Sequence, residues 1–217
     1  NNCPVVDAAT RSEQAIITTA DKQVYKAAHC IICSGREFKL LFPEVFAGSG
    51  LIVSKLNMMA TCPQQHTVLP GNILTGLTIR RYESFTACDS YQALDPAEVP
   101  QDCSDYGIHI LFKQRVDGSV IIGDSHQYAP IADQDDLSVF YNDMHINEIM
   151  LREAKKIMQL DNWNIAQNWA GFYAQHEEEI SCHTIEDRIH IVTGIGGKGM
   201  TTSAGFAAQN IRKIFNH

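Results

Sequence analysis

Gly194-Ile195-Gly196-Gly197-Lys198-Gly199 matches G-x-G-x-x-G and sits between a strand-like and a helix-like stretch, the context in which such a loop binds a dinucleotide. Glycines let a backbone come close to a flat or anionic group, and a helix start adds unpaired N–H groups and a positive dipole end. Gly194, Gly196, Gly197, Lys198, Gly199, Met200 and Thr201 are therefore expected to bind phosphate or to stabilise negative charge on a reduced cofactor. Only 18 residues follow Gly199, so the second strand and the acidic ribose ligand of a self-contained dinucleotide fold are missing. Gly199 after Lys198 also rules out a P-loop, which needs Ser or Thr there. A turn with no ligand is the plain alternative, but four glycines in six residues are more than a turn needs.

Arg80, Arg81 and Tyr82 form a second group. A strand over 71–85, interrupted at Gly76, would put Thr78, Arg80 and Tyr82 on one face and Ile73, Leu77 and Ile79 on the other. Arg80 could then hold an acidic group bidentately with Tyr82 adding a hydrogen bond. A solvent-facing polar strand is the alternative, and Arg81 competes if the strand bulges. His126, after Gly123-Asp124-Ser125, suits a cavity wall, a proton acceptor or an ordinary loop histidine, and His109 has similar standing. His109, Asp124 and His126 lack any recognised ligand spacing, so no metal is expected. Glu177-Glu178-Glu179 reads as a solvated surface.

The elements that must carry these residues are mixed. Strands are expected at 5–6, 15–19, 24–33, 51–61, 106–114, 119–123, 165–174 and 188–193, with a hairpin at Val116-Asp117-Gly118. A short helix broken near Pro43 is expected within 37–46, loop or short helix over 89–105, and loop over 129–136. Apolar spacing predicts long helices over 144–160 and 201–215, the latter with Ala204, Ala207, Ala208, Ile211, Ile214 and Phe215 on its apolar side. Strands, one long helix, then more strands indicate an α+β fold.

Hydrophobic residues make up 45%, enough for a sizeable core, and the net charge of -8 with no basic tract argues against nucleic acid. No apolar run could span a bilayer and no secretory leader is visible. The seven cysteines are odd in number and irregularly spaced, which suggests free thiols in a reducing cytoplasm. Cys30-Ile31-Ile32-Cys33 is a literal CxxC, but it reads as strand and no second pair completes a metal set, so two buried core residues are expected. The chain opens at Asn1 on strands without an opening element, which suits a truncated chain or a proteolytic fragment.

Four stretches in order resemble the FAD-dependent oxidoreductases of the D-amino-acid oxidase, glycine oxidase and sarcosine oxidase type. Ala28 to Gly35 is similar to the strand and Ser-Gly turn where these enzymes leave the flavin domain. Ser119 to Ser125 resembles a substrate-domain strand ending in Ile-Gly, and Trp169-Ala-Gly171-Phe-Tyr173 resembles the family's W-x-G-x-R strand. Ile191 through Gly205 resembles the closing strand, glycine loop and helix that cap the flavin. Leu77 to Phe85 together with Gly123 to His126 looks like a bacterial branch linked with phosphonate metabolism.

The resemblance implies a mostly antiparallel substrate-binding sheet with helices, plus the closing elements of a Rossmann-type FAD domain. Residues 1–37 would end the FAD domain, 38–186 form the substrate domain and 187–217 return to the FAD domain. It implies FAD held in part by Ser34, Gly35 and the glycine loop, and a small anionic amine or amino acid, an aminophosphonate among the options, bound by Arg80, Tyr82, His126 and Tyr173. Hydride would pass from the amine C–H to the flavin, with no essential side-chain base and so no catalytic residue named. Tyr173 departs from the pattern, standing where relatives carry Arg, and the N-terminal ADP-binding loop is missing, so this chain by itself is expected to hold FAD weakly. A homodimer or association with the missing N-terminal part is expected. The alternative is a non-catalytic module that binds a small anion or a protein.

Overall fold

The structure is a computed structural model that describes residues 3–137, 143–178 and 180–215. Glu179 lies outside them, and its neighbours Glu177 and Glu178 are exposed. The strands are β1 (Val5–Arg11), β2 (Gln14–Thr19), β3 (Val24–Ala27), β4 (Cys30–Ile32), β5 (Ile52–Thr61) and β6 (Ile73–Leu74). They continue with β7 (Leu111–Gln114), β8 (Val120–Gly123), β9 (Gln127–Pro130), β10 (Ile165–Gln175), β11 (Ser181–Ile185) and β12 (Ile189–Thr193). The helices are α1 (Pro43–Ala47), α2 (Gly76–Arg81), α3 (Gln101–Asp105), α4 (Met144–Ile157) and α5 (Gly199–Phe215). The fold is α+β, with largely antiparallel pairing.

The chain divides into two compact units. The first comprises residues 1–54, 129–136 and 173–217, the second 55–128 and 137–172. The chain thus crosses between the units within β5, β9 and β10 and once more at 136/137, whereas the sequence places its boundaries at 37/38 and 186/187. The first unit holds an antiparallel β1-β2-β3 sheet and a second sheet ordered β11-β12-β4. Its buried side chains include Phe38 and Phe46, whose rings lie 4.9 Å apart, with Ile189 and Ile191.

The larger sheet runs β10-β5-β8-β7-β6, with β9 also paired to β5. In the second unit the inward residues Met59, Ile110, Phe112, Val120 and Ile122 pack with Ile146, Ile149, Met150 and Ala154 of α4. The alternation on the strands and the i, i+3, i+4 spacing on the helix converge on that one core. Asp143 caps α4, its carboxylate accepting from the His145 N–H at 3.0 Å.

Several elements differ from the sequence reading. Residues 71–85 are not a strand: two residues of β6 give way to α2. Thr75 is the N-cap, its N–H donating to Thr78 Oγ1 at 3.4 Å, and Gly76 opens the helix rather than forming a bulge. This local capping outweighs the period-2 pattern. The expected 24–33 strand breaks at Ala28-His29 because β3 and β4 join different sheets. The helix near Pro43 starts there instead of breaking there, since proline suits a first helical position. Cys30 is half-buried and Cys33 exposed, correcting the expectation of two core cysteines: β4 stops at Ile32, which takes the buried position. On α5 no residue is buried, and Phe206, Asn210 and Ile214 are its half-buried stripe after the first turn.

Candidate functional site

In the first unit, β4 and β12 run parallel, with Cys30 beside Ile189 and Ile32 beside Ile191. Both strands therefore deliver their carboxyl ends to the same edge, where open α/β sheets bind ligands. Ser34-Gly35 follows β4, and Gly194 to Gly199 follows β12. Thr193 Oγ1 donates to the Gly35 carbonyl at 2.7 Å, tying together two segments 158 positions apart.

The glycines of the loop have different duties. Gly194 has φ 80, and a Cβ there would lie 2.9 Å from Leu51 Cδ2 and 3.1 Å from Ser181 Cβ. Its need for glycine is structural. Gly196, at φ 63, needs its left-handed backbone, but around it and Gly197 there is room: a Cβ on Gly197 would come no closer than 3.6 Å, to the Tyr173 hydroxyl. The bare backbone of 196–197 thus faces an aromatic ring and opens into α5 through a single 3-10 turn. Tyr173 belongs with this glycine loop. Lys198, Met200 and Thr201 are exposed beside it, as are Ser34 and Gly35.

A second constellation lies in the second unit. The β7–β8 ladder pairs Leu111 with Gly123, so the unbroken register would oppose His109 to Ser125. Instead the His109 N–H donates to the Asp124 carbonyl at 3.1 Å and the Asp124 N–H to the His109 carbonyl at 2.9 Å. This one-residue slip turns Asp124 and His126 onto the face of His109. It turns Ser125 the other way, where its Oγ accepts from the Asn57 N–H at 3.0 Å.

The three side chains brought together are buried. His109 Nε2 is 2.6 Å from Asp124 Oδ1, and His126 Nδ1 is 3.7 Å from the same oxygen. The imidazoles stack with centroids 5.2 Å apart. Burial pushes His126 down to about 4, with Arg81 and His109 adding to the effect and Asp124 opposing it. Around the cluster, the Tyr82 ring meets His109 edge-on at 6.0 Å and the Tyr128 ring stacks on His126 at 5.9 Å. Arg81 Nη2 donates to the Tyr128 hydroxyl at 2.5 Å.

Arg80 and Arg81 both line a cavity of about 420 Å³ with Leu77, Tyr91, Val99 and Gly107. Because they sit on α2 and not on a strand, the argument from alternating faces fails. Arg80 Nη2 pairs with Glu98 Oε2 at 2.6 Å and Nη1 donates to the Asp95 carbonyl at 2.9 Å. Its fork is engaged on both sides, whereas Arg81 lies beside Tyr128 and the histidines. His109 and Asp124, which the sequence names only as a set without recognised ligand spacing, join the site, and Tyr128 is an addition that sequence spacing missed. So is Lys55, a buried lysine on β5 whose ammonium burial pushes down against the opposing field of Asp143. A charge inside the apolar run 51–61 was the available signal.

The model of a family described as FAD dependent oxidoreductase (DAO) matches residues 1–209. The chain belongs to this family. No curated protein matches the sequence significantly. Among solved structures, glycine oxidase from Bacillus cereus aligns with a TM-score of 0.64 at 13% identity, covering 100% of this chain and 50% of that one. Glycine oxidase from Geobacillus kaustophilus aligns at 0.61 and 12% identity, covering 99% and 48%. NikD, an amino acid oxidase essential for nikkomycin biosynthesis, aligns at 0.57 and 11%, covering 88% and 45%. At these identities the likeness concerns the fold, and the chain spans about half the length of the structures it matches. No helix among the described residues is long and apolar enough to cross a membrane.

Proposed function

We propose that this chain supplies the substrate-binding part and the flavin-closing elements of an enzyme that oxidises the C–N bond of a small anionic amine or amino acid. The observation that carries this reading is the Thr193–Gly35 bond, which joins the Ser34-Gly35 turn to the glycine loop at the carboxyl ends of two parallel strands. The backbone at Gly196 and Gly197, where a Cβ would meet only ordinary contacts with Tyr173 and Gln175, fits close approach of a flat ring or a phosphate. FAD, when bound, would accept a hydride from the carbon bearing the amine. Ser34, Gly35 and residues 194–201 would hold it, and Tyr173 would border it.

The second unit supplies substrate recognition. Arg81 and the Tyr128 hydroxyl offer a planar cation and a polar partner for a carboxylate or phosphonate, with Tyr82 and His126 beside them. Arg80, paired with Glu98, supports the cavity wall. Thiols that are all free among the described residues suit a reducing cytoplasm, where we place the protein.

The test is to purify the complete gene product and record its visible spectrum, then add amines, amino acids and aminophosphonates without oxygen. A yellow protein whose flavin bleaches with an acid-bearing amine is expected. A colourless protein that binds no added FAD would overturn the reading. Bleaching by aminophosphonates but not by amino acids would assign the phosphonate branch.

A further inference from the structure

We infer that His109, Asp124 and His126 form a binding site for one divalent first-row metal ion, of which Zn²⁺ is the natural probe. The inference is independent of the flavin reading and concerns the second unit alone. One ligand atom from each residue lies within 4.8 Å of the other two, and all three residues are buried. Two imidazoles and a carboxylate are a donor set for zinc and for similar transition metals.

The hydrogen bonds around His109 carry the argument further. Thr78 Oγ1 lies 3.4 Å from His109 Nδ1, 3.3 Å from the Ile110 carbonyl and 3.4 Å from the Thr75 N–H. A hydroxyl has one proton, and when Thr78 donates it to the Ile110 carbonyl its oxygen accepts from His109 Nδ1–H. That leaves Nε2 with a bare lone pair, 2.6 Å from the Asp124 carboxylate oxygen. Two acceptor atoms this close repel each other unless a positive centre lies between or beside them.

A proton on Nε2 is the simplest such centre, but it fits poorly. Despite the short separation, neither His109 Nε2 nor Asp124 Oδ1 makes a hydrogen bond of acceptable geometry, and both atoms are buried. A bound cation satisfies both atoms at once. His109 is oriented through its other ring nitrogen by Thr78, as metal-binding histidines are. His126 Nδ1 lies 3.3 Å from the Gly107 carbonyl and would exchange that contact for the ion. Filling the site would move Nε2 and Oδ1 apart toward the ~3.3 Å edge of a tetrahedron with ~2.0–2.1 Å bonds. The 3.7 Å between His126 and Asp124 already exceeds that edge. Three protein ligands leave a fourth position for water or another donor, and the Tyr82 and Tyr128 rings pack against the two imidazoles.

The test uses the complete protein with its flavin, stripped by a chelator and then dialysed against Zn²⁺ with metal analysis. One ion per chain is expected. Asp124→Asn and His109→Gln are each expected to weaken binding about 100-fold or more, beyond the 10–100-fold that loss of an outer partner costs. His29→Gln, at the other histidine pair, is expected to have no effect. Far-UV circular dichroism checks that the variants fold. Should they not, zinc-edge X-ray absorption of the wild type decides, two imidazoles with carboxylate oxygen being expected. Failure of the wild type to bind Zn²⁺, retention of binding by both variants, loss in His29→Gln, or sulfur in the first shell overturns the inference. Flavin content and bleaching are read separately, so a negative metal result leaves the oxidoreductase reading standing.

Discussion

Arg80 and Arg81 are neighbours with different partners, and their variants should separate in kinetics. Arg81 points its fork at Tyr128 beside the buried histidines, so Arg81→Ala in the complete enzyme is expected to raise KM for an acid-bearing amine ~10²-fold, the loss of about 3 kcal/mol of charge-assisted contact. Arg80→Ala removes a pair with an exposed Glu98, a contact worth at most about 1 kcal/mol. Steady-state kinetics of both variants check this, and a larger effect at Arg80 would return the acid-binding role to it. A second residue-scale prediction concerns pH. Arg152 binds Asp102 through two nitrogens, at 2.7 and 2.9 Å, and hydrogen bonding from Arg152 holds the Asp102 carboxyl down to about 2 from its ordinary 3.8. A depressed carboxylate stabilises the fold above its unfolded value and loses that contribution as pH falls through the folded value. The stability difference between wild type and Asp102→Asn should therefore be constant above pH ~5 and disappear as pH falls from about 4 to 2, as read from urea midpoints.

At the scale of elements, the glycine loop joins a structural duty to a binding one. Gly194→Ala meets both a left-handed φ of 80 and a contact of 2.9 Å with Leu51, so a loss of about 2 kcal/mol or more is expected. Gly197 has neither a positive φ nor a close neighbour. Gly197→Ala should keep stability within about 0.5 kcal/mol while weakening FAD binding ~10-fold, about 1.4 kcal/mol. Thermal unfolding together with FAD titration distinguishes the two. Equal FAD affinity for wild type and Gly197→Ala would reduce the loop to a turn. The β7–β8 hairpin is the corresponding element of the second unit, since its register slip builds the His109–Asp124–His126 face.

For the molecule as a whole, the second unit's stability rests on the sheet face covered by α4. Phe112 is fully buried there, and Phe112→Ala should cost about 3–5 kcal/mol by leaving a cavity. Val116, at the tip of the same hairpin, is fully exposed, and its truncation should be neutral within about 0.5 kcal/mol. Chemical denaturation of the two variants measures the contrast. Equal losses would show that the hairpin tip is covered in the complete protein.

The sequence by itself determined those features whose causes are local. Apolar spacing places α4 and α5, the Val116-Asp117-Gly118 turn signal places β8, and glycine spacing between a strand and a helix marks 194–199. The family, and with it FAD as the expected cofactor, was legible from motifs in order along the chain, and the match over 1–209 bears the family out. Residues 71–85 were misread because a Thr75–Thr78 cap competes with a weak alternation, and local hydrogen bonding won. Only the tertiary structure decided the rest. Thr193 meets Gly35 through parallel pairing of strands far apart in the chain, which no local signal encodes. His109 faces Asp124 and His126 because the ladder slips by one residue beyond Leu111 and Gly123. A side chain's face changes with each single step of register, and register is fixed by packing and pairing across strands, not by the spacing of residues along one of them.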